Sequence, residues 1–86
     1  MKPGTILITG CSSGIGLDAA LTLAPEGWRV LATVRQPADA ANLPGIETLL
    51  LDQTDSAAVQ NCAREVLARC NGQLDALFCN AGLGVP

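Results

Sequence analysis

Thr5-Ile-Leu-Ile-Thr-Gly10 is a short apolar run that stops at a glycine. Its lack of polar alternation predicts a strand buried on both faces. The rhythm then changes. Ile15, Ala19, Ala20 and Leu23 recur at helical spacing, so a helix is expected over 14–25, stopped by Pro25 and capped by Gly27. Residues 28–35 (Trp-Arg-Val-Leu-Ala-Thr-Val-Arg) read as a second strand. Pro37 to Asn42 reads as a loop or short helix, Leu43-Pro44-Gly45 as a turn, and 46–52 as a third strand. The next segment is the most clearly periodic. Ala58, Val59, Cys62, Ala63, Val66, Leu67 and Cys70 form one apolar face. Thr54 or Asp55 can cap the start of this helix, and Asn71-Gly72 ends it. Residues 74–80 (Leu-Asp-Ala-Leu-Phe-Cys-Asn) read as a fourth strand, apolar on both faces.

Strands alternating with helices predict an α/β fold: a parallel sheet, right-handed crossovers and helices on both faces. The 86 residues are expected to form a single, partial domain, 1–86. Apolar residues make up 49% of the chain, which argues against disorder, yet aromatics are only one Phe and one Trp. The core must therefore be aliphatic.

Charge and cysteine usage narrow the function. A net charge of −3 with scattered basic residues argues against nucleic-acid binding. No apolar run is long enough to span a bilayer, and the N-terminus lacks the pattern of a signal peptide. The chain is accordingly expected to be cytoplasmic and to have no membrane partner. Cys11, Cys62, Cys70 and Cys79 form no CxxC and histidine is absent, which speaks against a zinc site. The cysteines are expected to be reduced thiols, and no chemistry is assigned to Cys11.

Gly10, Gly14 and Gly16 lie between the first strand and the first helix. A loop there stands over the carboxyl end of the sheet. Helix N-termini carry unpaired N–H groups and partial positive charge, so an anion belongs there. Gly10 permits the turn, Gly14 lets a pyrophosphate approach the main chain, and Gly16 lets the helix pack closely. Ser12 and Ser13 add hydroxyls, and the Ile15 amide is a further donor. This is the physics of a dinucleotide cradle. No Gly-Lys-Ser/Thr follows, which excludes a P-loop.

Thr9–Gly16 (TGCSSGIG) resembles the TGxxxGxG motif of short-chain dehydrogenases/reductases. Leu31–Arg35 (LATVR), Leu49–Asp52 (LLLD) and Cys79–Gly82 (CNAG) agree with that family in order and spacing, the last with its NNAG. The combination looks closest to steroid- and retinol-dehydrogenase-like members. The resemblance implies the N-terminal half of a Rossmann-type sheet, with strand order 3-2-1-4. It also implies that Asp52 accepts from the adenine amino group, with Gln53 beside the ring. Asn80, Ala81 and Gly82 would line the cofactor ribose. Asp52 could instead cap the following turn, and Asn80 could serve the sheet.

An NAD site of this fold has an acid at the end of the second strand. Val34 stands in that place and Arg35 follows, a permanent cation suited to a 2′-phosphate. NADP(H) is therefore expected over NAD(H), although Arg35 also fits an ordinary surface role. The family's reaction uses a Tyr-x-x-x-Lys. These 86 residues hold no Tyr, and their one Lys is Lys2. No catalytic residue is assigned, and the chain alone is expected not to turn over. Three readings follow: the cofactor-binding half of an oxidoreductase acting on a carbonyl/alcohol pair, a self-standing nucleotide-binding or interaction module, and, less favoured, an S-adenosylmethionine site. An apolar fourth strand at the sheet edge is expected to promote self-association.

Overall fold

The computed structural model describes residues 4–12, 14–52 and 55–79. Four parallel strands form one sheet in the order β3-β2-β1-β4. They are β1 (Thr5–Ile8), β2 (Arg29–Val34), β3 (Glu47–Leu50) and β4 (Ala76–Phe78). Each is shorter than its apolar run. Pairing outlasts regular strand geometry at the carboxyl end: the Leu51 amide donates to the Val34 carbonyl at 2.9 Å, and the Thr9 amide to the Phe78 carbonyl at 3.0 Å.

The two helices are α1 (Gly14–Leu23) and α2 (Ser56–Arg69). They cover opposite faces, because successive strand residues point to opposite sides. Ile6, Ile8, Val30, Ala32 and Val34 pack with Ala20 and the half-buried Leu17, Ala19 and Leu23 of α1. Leu31, Leu49 and Leu51 pack with Cys62 and Val66 of α2. After α1 a 3₁₀ turn (Ala24–Glu26) closes on Gly27, in the left-handed region at φ +98°. Trp28 then packs against the α1-side core, directly before β2. Pro37–Asn42 forms a short 3₁₀ helix. Asp55 caps α2, its Oδ1 accepting the Ala57 amide at 3.0 Å and the Ala58 amide at 3.3 Å. Thr54, the alternative cap, lies outside the described residues.

Two apolar faces are narrower than the sequence pattern predicts. On α2, Cys62, Val66 and Cys70 are buried, but Val59, Ala63 and Leu67 are exposed. Arg69 reaches toward Glu47 and pairs with Glu65, while Val59, Ala63 and Leu67 lie on another flank of α2. Nothing among the described residues covers that flank. On α1, Ile15 is 69% exposed. The helix begins beyond the end of β1, so its first turn has no sheet beneath it.

The amino end of the sheet is tied by polar contacts. Arg29 meets Glu47 through two parallel bonds, Nε to Oε2 at 2.7 Å and Nη2 to Oε1 at 3.0 Å. Its Nη1 donates to the Arg69 carbonyl at 2.9 Å. Arg69 itself pairs with Glu65 and lies 3.8 Å from Glu47. Nearby, Asp75 accepts the Thr5 amide at 2.8 Å and returns its own amide to the Thr5 carbonyl at 2.9 Å. No helix among the described residues is long and apolar enough to cross a membrane.

Candidate functional site

The opposite, carboxyl end of the sheet holds the glycine turn. Gly10 and Gly14 both adopt positive φ, +72° and +65°. Side chains strain that backbone, which accounts for glycine at both positions. A Cβ built on Gly14 would meet nothing within 4 Å, so open space faces the main chain there. Gly16 is buried. The first amides of α1 (Gly14, Ile15 and Gly16) have no intrahelical partner, because a helix begins with unpaired donors.

Three bonds hold the turn against the end of β2. The Gly10 amide donates to the Thr33 hydroxyl at 3.0 Å, and the Cys11 amide to the Thr33 carbonyl at 2.8 Å. The Ser12 hydroxyl accepts the Arg35 amide at 3.2 Å and has its own proton to donate. The donors left to face an anion are therefore those beyond Cys11. Cys11 is fully buried, its thiol donating to the Ile8 carbonyl at 3.3 Å. Burial pushes that thiol up to about 11, against a smaller opposing effect from a backbone bond with Thr33, so it stays protonated at neutral pH.

Arg35 leaves β2 exposed to solvent. Among the described residues its guanidinium makes no hydrogen bond or ion pair. Val34 is buried in the α1-side core, so the place where an acid would stand is used for packing. Asp52 is exposed just past Leu51, and its carbonyl accepts the Asp55 amide at 3.1 Å, opening the turn into α2. Gly10, Ser12, Gly14, Ile15, Gly16, Arg35 and Asp52 thus all lie at the carboxyl end of the sheet. Ser13, Gln53, Asn80, Ala81 and Gly82 lie outside the described residues. Thr33 was missed by sequence reasoning. The one signal was a lone hydroxyl in an otherwise aliphatic strand.

A glycine turn, a helix start and a cation with no partner among the described residues, all at the carboxyl edge of a 3-2-1-4 sheet, narrow the choice of family. The family model described as "short chain dehydrogenase" matches residues 4–86. The chain belongs to this family. Short-chain dehydrogenases bind a nicotinamide dinucleotide. The uncharacterized oxidoreductase YbbO of Escherichia coli is 43% identical over 83 residues, covering 94% of this chain and 31% of that protein. An NADPH-dependent 1-acyldihydroxyacetone phosphate reductase of Schizosaccharomyces pombe is 48% identical over 80 residues, covering 90% of this chain and 27% of its own length. An actinorhodin polyketide ketoreductase solved with NADPH superposes with a TM-score of 0.81 at 28% identity, covering 95% of this chain and 35% of that one. The chain thus spans less than a third of the length of the curated relatives it matches. Its residues fit a dinucleotide. The space over Gly14 is open, α1 begins there with its unpaired amides, and the Ser12 hydroxyl of the same turn is bonded to the Arg35 amide.

Proposed function

We propose that this chain is the cofactor-binding portion of an NADP(H)-dependent short-chain dehydrogenase/reductase acting on a carbonyl/alcohol pair. The α1 amides of Gly14, Ile15 and Gly16, with Ser12 and Ser13, hold the pyrophosphate. Arg35 takes the 2′-phosphate, Asp52 and Gln53 the adenine, and Asn80, Ala81 and Gly82 the ribose. When bound, the cofactor supplies or accepts a hydride. The 86 residues contain no Tyr-x-x-x-Lys to move the accompanying proton, so the chain alone gives no turnover.

One observation carries the reading. The Arg35 amide is bonded to the Ser12 hydroxyl, so a cationic strand end adjoins the glycine turn. The NADPH dependence named for the yeast relative points the same way. Calorimetric titration of the chain with NADPH and with NADH tests it. A charge-assisted bond contributes roughly 1.5–3 kcal/mol, so NADPH binds about one to two decades tighter. Arg35→Leu removes that difference. Equal affinities in the wild-type chain overturn the preference.

The same reading includes self-association through β4. This strand lies at the sheet edge, and Leu77 is 57% exposed there. An uncapped apolar edge is a template for pairing. Sedimentation velocity across a concentration series should show species larger than one chain. A monomer at every concentration contradicts it.

A further inference from the structure

We infer that Thr33 is a positioning residue which holds the glycine turn in its ligand-ready shape before any cofactor arrives. The inference rests on the cofactor reading above. Thr and Val have nearly the same shape, so the only thing Thr33 adds to the run Val30-Leu-Ala-Thr-Val34 is a hydroxyl. Thr33 is 2% exposed. A hydroxyl buried that deeply destabilises a protein unless it is bonded. Thr33 Oγ1 accepts the Gly10 amide at 3.0 Å, and its carbonyl accepts the Cys11 amide at 2.8 Å. One residue thereby fixes two consecutive amides of the turn. The chain reverses at Gly10, where φ is +72°, and the amides that face the ligand follow within a few residues. A loop ordered in advance loses less entropy when it binds.

Thr33 acts through the turn: its hydroxyl accepts the Gly10 amide, and among the described residues no hydrogen bond joins it to Arg35's side chain. Its loss must therefore weaken NADPH and NADH alike. Thr33→Val keeps the shape and the backbone bond to Cys11 and removes the acceptor for Gly10. Titration well below the melting temperature should give a Kd for each nucleotide roughly tenfold higher, with their ratio unchanged. Thr33→Ser, which keeps the hydroxyl, restores most of the affinity. A purely structural role would lower Tm but leave both affinities intact. Amide hydrogen exchange, read by NMR on the chain without nucleotide, gives a second readout. The Gly10 amide should lose protection in Thr33→Val and regain it in Thr33→Ser.

Unchanged affinities in Thr33→Val, a change for NADPH only, or unchanged Gly10 protection would each overturn the inference. If the wild-type chain binds neither nucleotide while Gly10 still loses protection in Thr33→Val, the cofactor reading falls. The role of Thr33 in binding falls with it, and only the anchored turn survives.

Discussion

Arg29 and Arg35 stand at opposite ends of β2 and are treated in opposite ways. At the amino end, Arg29 is bonded twice to Glu47 and once to the Arg69 carbonyl. The bond to Glu47 raises the affinity of Arg29 for its proton, and the same bond holds the Glu47 carboxyl below its usual range. At the carboxyl end, Arg35 gives only its backbone amide to the fold, and among the described residues its guanidinium meets no carboxylate. A charge closed on internal partners serves the framework. A charge left open beside a glycine turn is ready for an external anion. Substitutions at the two ends should therefore fall into two separate classes.

The largest effect is expected at the carboxyl end. Gly14→Val forces a β-branched side chain into a left-handed backbone and fills the open space above it. Nucleotide affinity should fall roughly 100-fold or more, measured calorimetrically. At the amino end, Gly4→Ala places a Cβ within 2.9 Å of Asp75 Cβ and into its carboxylate, displacing the bond to the Thr5 amide. Denaturant unfolding should show a loss of roughly 1–3 kcal/mol, with nucleotide affinity unchanged. A Gly4→Ala chain that folds normally but binds poorly would erase the distinction between the ends.

Extremes of pH probe the same contrast. Cys11 lies in the carboxyl-end loop with its thiol raised from 9.0 to about 11. A raised acid favours the folded state while protonated. Its contribution is therefore complete below pH 9.0 and is lost as pH climbs toward 11. Stability should drop by up to roughly 2 kcal/mol across that range. Cys11→Ala removes most of the slope. Cys62, pushed the same way by burial and then by Glu65's charge, supplies the rest. Glu47 gives the smallest and opposite effect. Its lowered carboxyl favours folding when ionised, so that contribution stands at neutral pH and fades as pH falls below 4.5. Glu47→Gln at neutral pH should cost under about 1 kcal/mol, because the pair is exposed. It should not change nucleotide affinity.

Much of the architecture was legible in the sequence because hydrophobic rhythm and glycine placement are local. The run ending at Gly10, the periodic segment ending at Asn71-Gly72 and the 3-2-1-4 order drawn from the family resemblance all match the fold. What periodicity cannot report is coverage. Ile15, Val59 and Leu67 carry helical spacing, yet each points where no neighbouring layer among the described residues lies. Side-chain bonding to the turn was also hidden. Gly10 reads as permitting the turn, but nothing in the pattern shows that Thr33 accepts the Gly10 amide on its hydroxyl and the Cys11 amide on its carbonyl. Val34 reads as standing where an acid would, and its burial in the α1-side core is an addition that spacing alone does not show.

Trp28 sits at the closed, amino end of the sheet, with the glycine turn proposed to take the nucleotide at the far end of β2. The chain therefore has two separate optical channels. Indole emission follows unfolding of the framework, while the emission of a reduced nicotinamide follows occupancy of the turn. A denaturant series that records both wavelengths on one sample would tell whether the turn loosens before the sheet does.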